Sequence, residues 1–110
     1  MPHVKKIKLI GQTITYGSRK ERLVKDSEPR EVFAELQGVT QTEFFSASAS
    51  GFTPEGKAVV WAFEYHGEQI LVIDGNRYAI YRTYNSQTSN KMELYYMVET
   101  GPNTAPEVTQ

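Results

Sequence analysis

The chain has 110 residues, no cysteine, and 12 basic against 13 acidic residues, for a formal net charge of −1. That length holds one domain with an ordinary core. The missing cysteines exclude a disulfide scaffold or thiolate zinc site and fit a reducing compartment, while no apolar run approaches the ~20 residues of a membrane-spanning helix.

Taken in chain order, residues 4–16 are rich in strand formers and are predicted as one strand, bent or bulged at Gly11. The opening Met1-Pro2-His3-Val4-Lys5-Lys6 has no apolar core behind its basic residues, so no secretory signal is expected. Residues 17–29 are charged and predict a mobile loop. Residues 30–39 alternate Val32, Ala34 and Leu36 against Glu31, Phe33 and Glu35, the period of a second strand. Thr40 followed by Glu43 has the spacing of a helix capping box, and a short helix carrying Phe44 and Phe45 is expected. A flexible connection then runs over residues 50–56.

The second half reads as a four-strand meander. Residues 58–65 alternate Val59, Trp61, Phe63 and Tyr65 against smaller or polar neighbours. His66-Gly67 makes a turn, residues 69–73 a strand, and Asp74-Gly75 a tight turn that tolerates positive φ. Residues 77–84 follow, with Tyr78, Ile80, Arg82 and Tyr84 expected on one face. A polar loop leads to residues 91–98, where Met92, Leu94, Tyr96 and Val98 alternate against Lys91, Glu93, Tyr95 and Met97. Residues 101–110, with two prolines and little apolar content, are expected to be a disordered tail. Six short strands and one helix predict a small, mainly β, antiparallel barrel over residues 1–100, since closure removes sheet edges that would otherwise need protection.

The near-zero net charge conceals a split. Residues 1–25 hold seven basic residues against the single acid Glu21, a net +6, and residues 26–110 hold five against twelve, a net −7. Lys5, Lys6, Lys8, Arg19, Lys20 and Arg22 form a candidate basic contact segment, either an anion-facing arm or a surface that meets an acidic one.

Catalytic and metal motifs are missing. His3 and His66 have no ligand-spaced partners, and Glu64, Glu68 and Asp74 fall around turns rather than converging. Ser46, Ser48 and Ser50 lack a nucleophile-elbow context, and the glycines form no phosphate loop. No enzyme and no cofactor are expected. Tyr81 and Tyr84 with Arg77 and Arg82 make an alternative candidate, a free-standing barrel stacking single-stranded bases. Only Arg77, Arg82 and Lys91 are basic from residue 58 onward, few for phosphate binding. The tyrosines read better as core or protein interface. Phe44 and Phe45 either close one end of the core or anchor a protein contact.

Several stretches together resemble the small head-closure, or head–tail joining, proteins of long-tailed bacteriophages and prophages. They are Arg30-Glu31-Val32-Phe33-Ala34-Glu35, Thr40-Gln41-Thr42-Glu43-Phe44-Phe45, Trp61-Ala62-Phe63-Glu64-Tyr65-His66-Gly67-Glu68, Gly75-Asn76-Arg77-Tyr78-Ala79-Ile80-Tyr81-Arg82-Thr83-Tyr84 and Lys91-Met92-Glu93-Leu94-Tyr95. Their order spans about residues 30–97, outside the N-terminal arm and the tail.

The resemblance implies a small barrel with a long loop and a short helix. It implies copies, typically twelve, assembling as a ring beneath the portal and adaptor rings, closing the exit channel of the packaged double-stranded DNA and docking the tail. The isolated chain would be a monomer, made in the bacterial host cytoplasm and incorporated into the virion, with no membrane partner. In the family the segment between the second and third barrel strands helps to gate the channel. That corresponds to residues 40–56 here, with Gln41, Glu43, Phe44, Phe45, Ser48 and Phe52 as the channel or assembly residues. The run Ser46-Ala47-Ser48-Ala49-Ser50 has less charge and bulk than a DNA-gripping helix would want. The family carries no catalytic residue.

Overall fold

The computed structural model of the chain describes residues 3–86 and 89–99, so the expected tail at 101–110 lies outside them. Among the described residues the strands are β1 (His3–Ile10), β2 (Gln12–Tyr16), β3 (Arg22–Asp26), β4 (Arg30–Gln37), β5 (Pro54–Trp61), β6 (Ile70–Ile73), β7 (Asn76–Asn85) and β8 (Lys91–Val98). Helix α1 (Gln41–Ala49) lies between β4 and β5, and a single 3-10 turn (Ala62–Glu64) follows β5.

Period-two alternation builds the wall. Ile7, Leu9, Val32, Ala34, Ala58, Val60, Leu71, Ile73, Leu94 and Tyr96 turn inward and pack as one core. Ile7, Leu9, Leu71 and Leu94 are fully buried, each such side chain contributing about 1.5–3 kcal/mol relative to exposure. Six strands close an antiparallel barrel in the order β1-β4-β5-β8-β7-β6, with Leu9 opposite Leu71 where β6 returns to β1. These are the six strands and the barrel expected from the sequence. The Asp74-Gly75 turn has φ of 53° and 82°, the paired positive values that a tight hairpin between β6 and β7 requires.

Closure is uneven around the wall. The β1–β4 ladder runs from His3↔Leu36 to Leu9↔Arg30, but β4 meets β5 only over Glu35–Gln37 and Lys57–Val59. Above Val59 the two strands part and leave an open seam.

Five local expectations are corrected. Gly11 ends β1 instead of bending one long strand, and residues 17–29, read as a loop, contain β3, which pairs with β2 as a separate two-stranded hairpin. Residues 54–56 open β5, so the connection after α1 is shorter than the expected 50–56. The strand expected over 58–65 leaves the sheet at Trp61, and Phe63 lies in the 3-10 turn. In β7 the register shifts between Ile80 and Arg82. The extra residue sends Arg82 and Tyr84 to the outer surface opposite Tyr95 and Glu93, while Tyr78 and Ile80 face the core.

Candidate assembly surfaces

The β2–β3 hairpin is fastened to the barrel at its base. Gly11 and Ser27 exchange hydrogen bonds, Gly11 N to Ser27 Oγ at 2.9 Å and Ser27 N to the Gly11 carbonyl at 2.7 Å. Gln12 N donates to Gln69 Oε1, and Asp26 accepts from Gln12 Nε2 and, at 3.0 Å, from Arg77 Nη1. Asp26 is held below the ordinary carboxylate value by the Gln12 bond and then by Arg77, against an opposing push from burial. Arg77 also grips Glu99 through two hydrogen bonds. Above this base, among the described residues, no hairpin side chain bonds to the barrel.

The register pairs Ile14 with Val24 and Tyr16 with Arg22, placing all four on one face. Ile14 is 47% exposed, Val24 41% and Tyr16 70%. Among the described residues, Arg19, Lys20, Arg22 and Lys25 form no ion pair. The other expected basic residues lie elsewhere: Lys5, Lys6 and Lys8 are on the barrel's β1, where Lys5 pairs with Asp74 and Lys6 with Glu31. The contiguous basic segment of the sequence is thus divided, among the described residues, between a barrel strand on which Lys5 and Lys6 are paired and Lys8 is not, and an arm on which no basic side chain is paired.

Helix α1 lies outside the barrel wall. Thr40 Oγ1 accepts from Glu43 N at 3.1 Å, the predicted N-cap. The Glu43 carboxylate does not complete the capping box and reaches across to β7 instead, accepting from Tyr81 Oη at 2.9 Å and from Arg82 Nη2 at 2.5 Å. Arg82 lies over the Tyr95 ring at 4.1 Å and Phe52 stacks on Tyr81 at 5.1 Å, so this cluster clamps both ends of the α1 segment. The Arg82 hydrogen bond holds the Glu43 carboxyl low against burial, with help from Tyr81. Burial, followed by the Glu93 hydrogen bond, pushes the Tyr95 hydroxyl up to about 12. Ala47 is the buried residue of the helix, whereas Gln41, Phe44, Phe45 and Ser48 are exposed. The Phe44 and Phe45 rings meet edge to face at 6.1 Å and neither belongs to the core cluster, so this pair does not close the barrel end.

A third surface occupies the outer wall of β1, β4 and β5. Val4, Phe33, Val59 and Trp61 line a shallow groove of about 190 Å³ over the seam, with Glu35 and Lys91 at its margin. Phe33 is 62% exposed and Trp61 47%. Lys91 covers part of Trp61 at 5.3 Å and Lys6 sits 5.9 Å from Phe33 while pairing with Glu31. Val4 continues into an adjoining cleft that includes Glu55.

Sequence reasoning missed the Arg30–Glu68 pair. Glu68 is only 7% exposed and accepts from Arg30 Nη2 at 2.7 Å and from His66 N at 2.8 Å, while Arg30 also donates to the Glu64 carbonyl. Burial pushes the Glu68 carboxyl up, but the Arg30 and His66 bonds outweigh it and leave it below its ordinary value. This pair fastens the connection between β5 and β6 over the barrel mouth. Glu64 contributes its carbonyl, and Asp74 lies apart on the Lys5 pair. Among the described residues no three His, Asp or Glu side chains are grouped to hold a metal ion.

The base-stacking constellation is dispersed. Arg77 is held by Asp26 and Glu99, Arg82 by Glu43, and Tyr81 is half-buried against Phe52, leaving Tyr84 exposed. Both guanidiniums already hold carboxylates, so a phosphate would compete with an existing ion pair. Comparison with known proteins finds no matching family model, no matching curated protein and no matching solved structure.

Proposed function

We propose that this protein is a structural component of a phage or prophage head–tail connector, one segment of a ring that closes the DNA exit channel after packaging and docks the tail. The observation that carries the reading is the number and separation of its exposed apolar surfaces. The hairpin, the Phe44–Phe45 face of α1 and the Val4–Phe33–Trp61 groove are three separate exposed apolar surfaces of one small barrel. A lone binding module needs one such face; a ring segment stacked between other rings needs two lateral contacts and at least one axial contact. The ordered likeness of residues 30–97 to head-closure proteins supports the same assignment.

In this reading α1 and Phe52, inserted between the second and third barrel strands, face the channel and its double-stranded DNA. The typically twelvefold ring of the family becomes an expectation of twelve copies here, contacting portal or adaptor proteins on one side and tail proteins on the other. Individual contacts are weak and the ring compensates by avidity, so the isolated chain is a monomer in dilute solution. Assembly takes place in the host cytoplasm and ends in the virion.

Mass spectrometry of purified virions tests the assignment. The protein is expected in tailed particles, and its deletion is expected to give filled heads that leak DNA and carry no tail. Virions that lack the protein, or deletion particles that stay closed and tailed, overturn it. Cysteines introduced at Ser48 and Phe52 are expected to cross-link across the lumen; labelling from the outer wall alone would remove α1 from the channel.

A further inference from the structure

The hairpin and the seam groove are unlike surfaces rooted on different strands of the barrel. The hairpin base is bound through Gln69, just ahead of β6, and Arg77 of β7, whereas the groove lies mainly on β1, β4 and β5. In the barrel order β6 pairs directly with β1 on one side, and on the other β8, whose Lys91 reaches the groove margin, stands between β5 and β7.

We infer that the β2–β3 hairpin of one copy docks in the β1–β4–β5 groove of the next copy. The ridge formed by Ile14, Tyr16 and Val24 is apolar, and the groove floor formed by Val4, Phe33, Val59 and Trp61 is apolar. The charges correspond as well. Arg19, Lys20, Arg22 and Lys25 beside the ridge have no ion-pair partner among the described residues, and neither do Glu35 and Glu55 beside the groove. Lys6 and Lys91 also border the groove, but Lys6 is paired with Glu31 and Lys91 is drawn over Trp61. Three exposed apolar side chains in a row suit a protein groove better than a phosphate backbone, which asks only for the cations. Because the ridge and the groove are different surfaces, the contact is heterologous, the class that closes into rings. The inference deepens the ring reading and rests on it for its biological setting.

Dilution of the ¹⁵N-labelled full chain from about 1 mM to about 20 µM tests it by NMR. Sub-millimolar self-association is expected, with shifts confined to residues 12–26 and to the β1–β4–β5 wall, weakening as salt rises. Tyr16→Ala and Trp61→Ala are each expected to weaken association at least tenfold, with unchanged dispersion elsewhere. Glu35→Lys/Glu55→Lys and Arg19→Glu/Arg22→Glu should each abolish it, and mixing the two variants should restore it. The chain lacks cysteine, so mixed Tyr16→Cys and Val59→Cys variants should form a disulfide, and Tyr16→Cys with Ser48→Cys should not.

Absence of self-association at 1 mM, association through α1, or hairpin shifts produced only by added duplex DNA overturns the docking. Should the protein nevertheless be present in virions, the ring reading survives that failure. Absence from virions removes the ring reading and leaves the docking result standing.

Discussion

Arg82 Nη2 lies 2.5 Å from Glu43 Oε1, and this ion pair ties the helix inserted between β4 and β5 to the outer face of β7. Its partners are unequally exposed, with the carboxylate largely covered and the guanidinium reaching solvent. It acts as a latch that holds a helix with one buried residue, Ala47. Glu43→Gln removes the charge and keeps the shape. The expected result is an intact barrel with a loss of about 1 kcal/mol or less and faster amide exchange confined to residues 41–52. Uniform loss of protection throughout the barrel would contradict a local latch.

Acid should loosen the same contacts. Glu43 and Glu68 titrate in the fold below their ordinary value of 4.5, and Asp26 below 3.8. Lowered carboxyl values stabilise the folded chain fully above the unfolded values, and that contribution is lost as pH falls through the folded ones. Urea midpoints are expected to stay flat from pH 7 to about 5 and to fall below about 4.5. Glu68→Gln should make the acid decline shallower. A decline that begins above pH 6 would point to groups other than these carboxylates.

Removing Arg30 strands a buried carboxylate. Arg30→Ala is expected to cost about 2–3 kcal/mol, less than a fully enclosed pair because the guanidinium is partly solvated. Urea unfolding of Arg30→Ala, Glu68→Gln and the double variant measures the coupling. Strict additivity would show that the pair does not act as a unit.

Gly56 is required by space. A Cβ there would lie 2.8 Å from Tyr96 Oη and 3.1 Å from the Gln37 carbonyl oxygen. Tyr96 is packed in the core and the Gln37 oxygen is a backbone atom, so neither yields freely, and Gly56→Ala is expected to cost about 1–3 kcal/mol. Thermal melts of that variant beside Gly38→Ala, which meets nothing within 4 Å, separate packing from chain entropy.

The barrel was legible because its strands have an inside and an outside. Met92, Leu94 and Tyr96 against Lys91, Glu93 and Tyr95 state that division outright, and β8 is Lys91–Val98 as expected. Thr40 announced the helix start by its own hydrogen-bonding chemistry. The hairpin was hidden for the opposite reason: β2 and β3 bury no side chain, so Ile14, Val24 and their neighbours offer no burial pattern. Alternation also cannot reveal an inserted residue. The shift beyond Ile80 moved Arg82 and Tyr84 to the other face and created the Glu43 latch, a contact between residues 39 positions apart. The Arg30–Glu68 pair is likewise a product of closure, linking residues 38 apart.

The seam gives the barrel the mechanics of a clasp. The sheet runs from β5 through β8, β7, β6 and β1 to β4, and three residue pairs fasten its two ends. The β1–β6 ladder is equally short, and these two three-pair joints are where the cylinder yields under thermal fluctuation. The chain that bridges the β4–β5 joint is the segment carrying α1, so a pull on the helix loads the clasp directly, and a partner wedged over the seam stiffens the whole cylinder.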